Sequence, residues 1–289
     1  MQTVLEALEE AKNTYTKIYF RPNSGNAGDS LINVGFYSVA DTLGLDYEEI
    51  HDGFPYETLG KKDLVILSGG GNIVPYWNGG SDLIRQLTQY AFPLMLMPQS
   101  IEGREDVLRL LRKQDMLFLR EKYSLNYALS LKLMCSLSID DDLAFFANLG
   151  MLRNQGRVSE ILKSGKVRKI SYILYHFLRS RFSKKLIALR TDRESKISDR
   201  RKKKINDISR VAKLGTRDRS LNILSSYWFV KILSWYDVVE TDRLHVFVGC
   251  VLVGRKVILH ENAYHKIKGV YEYSILPNPK YAPLVSFST

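Results

Sequence analysis

The fold class is decided by residues 238–260, which read VVETDRLHVFVGCVLVGRKVILH. Short apolar runs at 238–241 and 256–260 predict two strands. Between them, residues 243–253 are long enough and apolar enough to form a buried helix. Strand, helix and strand in this order form a βαβ unit, which places both strands parallel in one sheet. The stretch therefore predicts an α/β protein.

The same alternation extends to the rest of the chain, where apolar runs end at Gly, Asn, Pro or Asp turn signals. Further strands are predicted at 17–20, 64–67, 94–97, 116–119, 135–139 and 186–189. Further helices are predicted at 29–43, 81–91, 104–113, 122–133 and 221–235. Asp29 and Ser81 are the residue types that cap helix N-termini, so we expect them as N-caps.

The alternation stops after residue 150 and resumes near residue 185. Residues 151–184 are basic and include an aromatic stretch, so we predict a crossing or lid segment there. This leaves an N-terminal α/β lobe at 1–150 and a C-terminal α/β lobe at 185–289. Two lobes agree with the length of 289 residues, since domains usually hold about 100 to 200 residues.

The positive charge is concentrated in one region. The chain has a net charge of +11, and residues 151–220 alone hold 22 Lys and Arg against 6 Asp and Glu. The densest run extends from Arg200 to Lys204 and is typical of a solvated face, a nucleic-acid surface, an anionic membrane surface or an anionic substrate site. No aromatic residues interleave with this run, which disfavours stacking on single-stranded nucleic acid.

Several features favour a cytoplasmic protein. The longest clean apolar run, 246–253, is far shorter than the roughly 20 residues that cross a bilayer. The first ten residues carry acidic and no basic side chains, the opposite of a secretory signal. Cys135 and Cys250 each lie in an apolar stretch, which indicates buried thiols in a reducing compartment.

Residues that could bind an anion follow the strands of the C-terminal lobe. Arg190 follows one strand, and Arg243 and His245 follow another in the expected first turn of a helix, where free N–H groups favour anions. His245 beside a bound phosphate could move a proton near neutral pH. The alternative is structural, with Arg243 paired to Asp242 or Glu240 and His245 in the core.

The next strand of this lobe adds Asn262 and Lys266 to the same rim. The five histidines show no spacing typical of zinc ligands, and the sequence contains no GxSxG nucleophile motif. We therefore predict neither a metal site nor a nucleophile of this kind.

Polar groups also follow the strands of the N-terminal lobe. Glycines at 25, 28 and 69–71 permit close approach of the main chain to a ligand or to a facing lobe. Residues 140–142 contain the DxD spacing with which some glycosyltransferases bind a metal ion, although capping explains these residues as well. The polar residues at these strand ends are Asn26, Asp29, Asn72, Gln99, Ser100, Arg120 and Asp141.

These short pieces occur in an order that resembles the polysaccharide pyruvyl transferase family over residues 21–273. The pieces are residues 25–29, 69–72, 98–100, 120–121, 141–145 and 241–245, followed by Asn262 and Lys266. The segment 151–220 contains no motif of this family, and Glu261 stands where the family commonly has Asp.

The resemblance implies a GT-B-like pair of Rossmann-like lobes with the active site in the cleft between them. It implies phosphoenolpyruvate as donor, without a cofactor or metal, and a pyruvate ketal on two hydroxyls of one sugar. Arg243 and His245 would be catalytic. The expected donor-binding residues are Arg190, Arg243, Leu244, His245, Asn262 and Lys266. The expected acceptor-binding residues, on the N-terminal lobe, are Asn26, Gly28, Asp29, Gly70, Gly71, Asn72, Gln99, Ser100, Arg120 and Asp141.

Two other functions remain open at this point. One is a nucleotide-sugar glycosyltransferase of the same architecture, using the DxD acids and a metal. The other is a protein without enzymatic activity that binds nucleic acid or an anionic surface through residues 151–220. If the protein is a pyruvyl transferase, the same charge predicts peripheral contact with the inner membrane face, where a lipid-linked saccharide would serve as acceptor. Binding of nucleic acid is then not expected.

Overall fold

A computed structural model describes residues 1–153, 158–163, 165–192, 194–195, 197 and 202–288. The chain forms two compact units. Unit 1 comprises Met1–Asn23 and Phe36–Leu143, and unit 2 comprises Ser24–Gly35 and Ala144–Thr289. Residues 24–35, which we expected in the N-terminal lobe, therefore belong to unit 2. The predicted α/β class is confirmed, since both units are built on parallel sheets.

Unit 1 has seven parallel strands among its described residues. They are β1 (Lys17–Arg21), β2 (Glu48–Glu49), β3 (Asp63–Leu67), β4 (Gly70–Ile73), β5 (Leu94–Ile101), β6 (Met116–Leu119) and β7 (Ser136–Ile139). Their order in the sheet is β2-β1-β3-β5-β6-β7, and β4 pairs with β5. The helices are α1 (Val4–Thr14), α2 (Ala27–Leu43), α3 (Gly79–Leu87), α4 (Glu105–Leu108) and α5 (Lys122–Ser130), of which α2 contributes only its part from Phe36 onward.

The central strand β5 is longer than its predicted range of 94–97. All eight of its residues are buried, including Gln99 and Ser100. These polar side chains are tolerated because they find partners inside the unit: Gln99 Nε2 donates to the Ser68 carbonyl at 2.9 Å, and Ser100 Oγ accepts from Arg120 Nε at 2.8 Å. The polar residues Gln99 and Ser100, which we expected to follow the strand, are therefore part of the sheet.

Unit 2 has four parallel strands among its described residues, in the order β11-β10-β9-β8. They are β8 (Lys185–Ala188), β9 (Val238–Thr241), β10 (Lys256–Leu259) and β11 (Val285–Phe287). Its helices are α6 (Val158–Lys163), α7 (Arg168–Phe182), α8 (Ile208–Val211), α9 (Arg219–Ser234), α10 (Leu244–Leu252) and α11 (Lys266–Val270), followed by a short π-helical stretch (Tyr271–Ile275).

Helix α10 lies at the centre of unit 2. Seven of its nine residues are buried, as expected for a helix that is apolar on every side. Gly249 allows α9 to pack closely, since a Cβ at this position would lie 2.9 Å from Leu233 Cδ1 and 3.1 Å from Phe229 Cε1. Asn222 of α9 also accepts a hydrogen bond from Asn33 Nδ2 at 3.0 Å, which ties the first part of α2 to this unit.

All eight predicted strands are present, but some helix ends differ from the prediction. Helix α2 begins at Ala27, so Asp29 lies in its first turn and is not the N-cap. Helix α3 begins at Gly79 after the N-cap Asn78, so Ser81 is a buried residue inside the helix. The helix predicted at 104–113 is the short α4, since the chain turns after Leu108.

The predicted crossing or lid segment, residues 151–184, contains helices α6 and α7. Its role as a lid stays a prediction. Within the described residues, no helix combines the length and the apolar character that crossing a membrane requires.

Candidate active site

Three neighbouring strands of unit 2 bring the predicted donor residues together. Strands β8, β9 and β10 are parallel and adjacent, so their carboxyl ends meet at one edge of the sheet. Arg190 follows β8, Arg243 follows β9 and Asn262 follows β10. The loops are held to one another, because the Arg190 main-chain N–H donates to Asp242 Oδ1 at 2.7 Å and the Ala263 N–H donates to the Glu194 carbonyl at 3.2 Å.

Arg190 is a buried arginine whose guanidinium is surrounded by carboxylates. Its Nε and Nη2 donate to the two oxygens of Asp192 at 2.8 and 3.1 Å. Its Nη1 forms an ion pair with Glu194 at 2.8 Å. Burial opposes the charged form of Arg190, but the hydrogen bond to Asp192 and the charge of Glu194 outweigh it and raise the pKa. Arg190 is therefore held as a fixed cation.

Arg243 is the N-cap residue of α10 and not part of its first turn as predicted. Its Nη2 contacts Asp207 Oδ2 at 2.5 Å and Asp192 Oδ2 at 3.2 Å, so Asp192 bridges the two arginines. The structural alternative predicted that Arg243 pairs with Asp242 or Glu240, and this prediction is wrong, since its partners are Asp207 and Asp192. Glu240 instead pairs with Lys185 and His260, each at 2.9 Å, and Asp242 accepts from Arg190 and Ser195.

Lys266 completes the set of buried cations. Its amino group forms an ion pair with Glu194 and lies 4.7 Å from the centre of the Tyr264 ring. Asn262 is buried next to it, donating from Nδ2 to the Asp242 carbonyl at 3.4 Å and accepting at Oδ1 from the Ala263 N–H at 2.6 Å. Six of the charged residues at this edge form one network of ion pairs, which we call the strand-end cluster: Arg190, Asp192, Glu194, Asp207, Arg243 and Lys266.

The strand-end cluster contains three cations and three carboxylates, and the charge of Asp242 beside it also acts on Arg190. Burial opposes ionisation of Asp192, but its hydrogen bond and charge contact with Arg190 outweigh burial and lower its pKa. Asp207 behaves in the opposite way, since burial raises its pKa more than Arg243 lowers it. Arg243 Nε and Asp207 Oδ1 are buried and have no hydrogen-bond partner among the described residues. Buried polar groups are rarely left in this state, so the cluster keeps capacity to bind a further polar group.

The sequence analysis did not identify the acids of this cluster. Asp192 and Glu194 follow Arg190 closely in the sequence, and the spacing of opposite charges two and four residues apart could have indicated their pairing. Asp207 lies 36 positions from Arg243 in the sequence, and no local pattern indicates that contact.

Residues 24–29, which comprise the turn before α2 and the first three residues of that helix, pack against His245 within unit 2, and we call them the 24–29 loop. A Cβ at Gly28 would lie 2.6 Å from His245 Cβ and 2.8 Å from His245 Nδ1, so only glycine fits at this contact. The loop is fixed by helix capping, because Asn26 Oδ1 accepts from the Gly28 N–H at 2.8 Å and Asp29 Oδ2 accepts from the Asn26 N–H at 2.6 Å. The structure thus places this loop, which we had assigned to the N-terminal lobe, beside the predicted catalytic histidine.

The other predicted acceptor residues belong to unit 1. Gly70 has a φ of 140°, which favours glycine, and it starts strand β4 together with Gly71 and Asn72. Asn72 donates from Nδ2 to Asn23 Oδ1 at 2.9 Å. Gln99 is buried, yet its Oε1 has no hydrogen-bond partner among the described residues.

Arg120 and Ser100 lie deeper than we expected for residues that bind an acceptor. Arg120 is 1% exposed, with Nη1 donating to Asp142 Oδ2 at 2.6 Å and Nε donating to Ser100 Oγ at 2.8 Å. Both side chains are thus engaged with partners inside unit 1, and a contact of either one with the acceptor stays a prediction.

The DxD acids are occupied by structural contacts. Asp140 Oδ2 accepts from the Val4 N–H at 2.6 Å at the start of α1, and Asp142 pairs with Arg120. Asp141 donates its N–H to Asp140 Oδ1 at 2.7 Å. Across the described part of the chain, no group of three or more His, Cys, Asp and Glu side chains is arranged to hold a metal ion. The contacts favour capping and ion pairing for these acids.

The two cysteines are buried free thiols, as predicted. Burial raises the pKa of the Cys135 thiol to about 11 and raises the pKa of Cys250 as well. Both thiols are therefore protonated near neutral pH and poorly suited to act as nucleophiles.

Comparison with known proteins assigns the family. No curated protein sequence matches the chain. The crystal structure of a functionally uncharacterised protein from Klebsiella pneumoniae subsp. pneumoniae NTUH-K2044 is similar, with a TM-score of 0.74 and 26% sequence identity over 98% of this chain and 96% of that chain. A family model described as polysaccharide pyruvyl transferase matches residues 5–262, a span that includes the 24–29 loop, Arg190, Arg243 and Asn262. Because this match covers nearly the whole chain, the chain belongs to the polysaccharide pyruvyl transferase family.

Proposed function

We propose that the protein transfers the pyruvyl group of phosphoenolpyruvate to two hydroxyls of one sugar, forming a pyruvate ketal and releasing phosphate. Family membership supports pyruvyl transfer onto polysaccharide. The donor, the ketal and a precursor saccharide, free or lipid-linked, as acceptor are parts of the proposal. So are the GT-B-like arrangement and the absence of a cofactor or metal requirement.

The strand-end cluster supports an anionic donor. Phosphoenolpyruvate carries a carboxylate and a phosphate on three carbons, and fixed cations are the groups that bind such anions. Arg190, Arg243 and Lys266 supply three cations at one edge of the sheet. The observation that carries the proposal is the buried Arg243 Nε, which has no hydrogen-bond partner among the described residues. A ligand oxygen at this nitrogen would satisfy it.

The three acids of the strand-end cluster differ in side-chain exposure, which indicates the one that a donor could displace. The Asp192 side chain is 25% exposed, whereas those of Glu194 and Asp207 are 2% and 0% exposed. Asp192 also contacts both arginines. We therefore propose that the donor displaces Asp192 while the other two acids stay in place, so that no buried cation is left without an opposite charge.

The chemistry requires two proton transfers. One sugar hydroxyl adds to C2 of phosphoenolpyruvate and forms a C–O bond, while the methylene carbon gains a proton and becomes a methyl group. The second hydroxyl then forms a C–O bond to C2 as the bond from C2 to the phosphate oxygen breaks. One hydroxyl proton balances the methyl group, and the other leaves with phosphate.

We assign one of these proton transfers to His245, whose imidazole contacts the 24–29 loop. Its place two residues after Arg243 keeps it close to the proposed donor. Asn26 and Asp29 would orient the acceptor from the same loop, and Gly70, Gly71, Asn72, Gln99 and Asp141 are the acceptor residues proposed on unit 1.

The test is incubation of the purified protein with phosphoenolpyruvate and candidate saccharides, with detection of inorganic phosphate and of the pyruvylated product by mass spectrometry. His245→Ala should lower the rate by about 100-fold or more, because a positioned acid or base contributes about that much. His51→Ala, which changes a partly exposed histidine of unit 1, is the matched control.

Near-normal turnover by His245→Ala would remove this histidine from the mechanism. Release of a nucleoside diphosphate from a sugar nucleotide, without use of phosphoenolpyruvate, would instead establish the glycosyltransferase alternative. Salt-sensitive binding to nucleic acid without any turnover would establish the alternative outside enzymes.

A further inference from the structure

A basic cavity of about 460 Å³ lies within unit 2, and none of its described lining residues belongs to the strand-end cluster. Four cationic side chains line it together with the Thr216 hydroxyl, and among the described lining residues none is acidic. The cations are Lys166, Lys169, Lys213 and Arg217. Such a concentration of one charge in a cavity favours an anion.

The basic cavity is connected to the 24–29 loop. Lys213 Nζ and Thr216 Oγ1 both donate to the Ser24 carbonyl, at 3.1 and 3.3 Å. The same loop carries Gly28, which packs on His245. A group bound in the cavity would therefore lie next to the loop that contacts the predicted catalytic histidine.

The charges in the cavity repel one another when it is empty. Burial lowers the pKa of Lys169, and the nearby charges of Lys166, Arg210 and Lys213 lower it further, whereas Asp207 of the strand-end cluster opposes the effect. Burial also lowers the pKa of Lys213, with Asp29 opposing and Lys166 adding to the effect. A bound anion would relieve this repulsion, since an opposite charge stabilises the protonated amines.

We propose that the basic cavity binds a phosphate or diphosphate group carried by the acceptor saccharide. This inference rests on the proposed function for the identity of the acceptor, but the cavity itself can be tested without turnover. A lipid-linked acceptor and a soluble sugar phosphate share this chemistry. Lys166 and Arg217 are exposed, so both can be changed without disturbing the packing.

The experiment is calorimetric titration of the purified protein with pyrophosphate, inorganic phosphate and phosphoenolpyruvate. The double variant Lys166→Glu/Arg217→Glu should bind pyrophosphate at least about tenfold more weakly, because two attractive charges become repulsive. Its affinity for phosphoenolpyruvate should be unchanged. Lys61→Glu/Lys62→Glu, which changes two exposed lysines of unit 1, makes the same change in net charge and should bind both ligands normally.

Equal pyrophosphate affinity in the cavity variant and the wild type would overturn the inference. An equal loss of phosphoenolpyruvate affinity would also overturn it, since the cavity would then be part of the donor site. Wild-type protein that binds pyrophosphate through the cavity but does not bind phosphoenolpyruvate would refute the proposed donor and leave the cavity assignment intact. A lipid-linked diphosphate and a soluble sugar diphosphate are then compared in competition with pyrophosphate. Tighter binding of the lipid-linked compound identifies a lipid-linked acceptor as the source of the phosphate groups, and tighter binding of the soluble compound identifies a sugar phosphate.

Helix α7 carries an independent observation, an apolar face that is exposed to solvent. Leu174, Leu178 and Phe182 recur every four residues and are 53%, 51% and 91% exposed. The opposite side of the helix is buried and includes His176 and Ser180. The buried residues also include Ile173, so the helix carries apolar side chains both on its buried side and on its exposed side. Exposed apolar surface of this kind marks an interaction site.

The charge around α7 decides between partners. Residues 158–185 hold eight Lys and Arg against one acidic residue, and the Arg181 guanidinium lies 4.9 Å from the centre of the Phe177 ring. Two copies of this chain would repel each other at this face. An anionic bilayer attracts the basic side chains and accepts the apolar ones, as amphipathic interfacial helices require.

We infer that α7 binds the surface of an anionic membrane. Wild-type protein should sediment with vesicles of phosphatidylglycerol and phosphatidylcholine and bind at least about tenfold more weakly to phosphatidylcholine alone. Leu174→Glu/Leu178→Glu should reduce binding to the anionic vesicles by about tenfold or more, because it replaces inserted apolar groups with repelled charges.

The matched control is Leu129→Glu/Met134→Glu, which changes two exposed apolar residues of unit 1 (51% and 71% exposed) and should bind like the wild type. Circular dichroism confirms that both variants are folded. Equal binding by the α7 variant and the control would overturn the inference. Loss of a concentration-dependent dimer in the α7 variant, without vesicle binding by the wild type, would also overturn it and assign the face to a second copy.

Discussion

Substitution of Gly28 by alanine tests the contact between the 24–29 loop and His245. The added Cβ would lie 2.6 Å from His245 Cβ, 2.8 Å from Nδ1 and 2.9 Å from Cγ. These distances are shorter than any normal contact between carbon atoms. The nearest atom is His245 Cβ, which does not move when the side chain rotates, so rotation of the imidazole cannot relieve the clash. Either α2 or the start of α10 must move.

The expected change in the free energy of unfolding is the difference between a steric cost and a gain from replacing glycine in a helix. Inserting a methyl group into a packed contact costs about 1–3 kcal/mol, and replacing glycine by alanine in a helix recovers about 0.5–1 kcal/mol. We expect a net loss of about 1–2 kcal/mol, or roughly 2–8 °C in the melting temperature of a chain of this size. A displacement of His245 by about 1 Å should also lower turnover by up to about 100-fold.

The assays are thermal unfolding and phosphate release with phosphoenolpyruvate. Gly79→Ala provides the control, because Gly79 begins α3 and a Cβ there would meet nothing within 4 Å. It should be neutral or slightly stabilising. If Gly28→Ala were as stable and as active as Gly79→Ala, the packing of the loop on His245 would be wrong. A loss of stability without a loss of turnover would separate the packing from the proposed catalytic role.

Two further predictions concern buried charge. Glu194→Gln removes the carboxylate shared by Arg190 and Lys266 and should lower the free energy of unfolding by roughly 3 kcal/mol or more in urea titration, whereas Glu160→Gln, in an exposed pair with Lys163, should change it by less than about 1 kcal/mol. Equal effects of the two variants would contradict the buried cluster. Burial lowers the pKa of His176 to about 4, below the ordinary value of 6.5, so the unfolded state binds the proton first and stability should fall by roughly 3 kcal/mol as the pH drops from 6.5 to 4. His176→Gln should weaken that pH dependence, and an unchanged pH profile would show that another group causes it.

The strands were predictable because each is a short apolar run between turn signals. Residues 116–119 and 238–241 match β6 and β9 at both ends. The strand β4 was missed because Gly70 and Gly71 carry no side chains and read as a turn. Its pairing with β5 depends on the partner strand and not on local propensity.

Helix α7 was missed for a physical reason that bears on function. A helix is predicted from sequence when its apolar residues fall on one side, which is taken to face a core. In α7 the buried residues are Ile173, His176 and Ser180, while leucine and phenylalanine lie on the exposed side. His176 is satisfied by Tyr236 OH and the Ile205 carbonyl, each at 2.8 Å, and these partners are distant in sequence. A local pattern could not reveal them.

The proximity of Arg190 and Arg243 was predictable because a parallel sheet fixes where strand ends meet. Arg190 and Arg243 do lie at one edge, but the carboxylates between them were not expected, because a sequence shows charges without their pairing. Arg120 also follows a strand, and the sequence analysis predicted that it binds the acceptor. Only the structure shows that Arg120 is sealed in unit 1 by Asp142 and Ser100.

The contrast between the two units separates a structural arginine from one that is suited to bind a ligand. Buried ion pairs contribute little net stability, so the presence of such a pair does not by itself explain why a chain retains it. Arg120 donates to Ser100 and Asp142 and serves the packing of unit 1. Arg243 has two carboxylate partners and still keeps a buried Nε without a partner among the described residues. Leaving a buried donor unfilled costs about 1–3 kcal/mol, a cost that a bound oxygen would remove. We therefore expect an oxyanion to bind at Arg243 and not at Arg120.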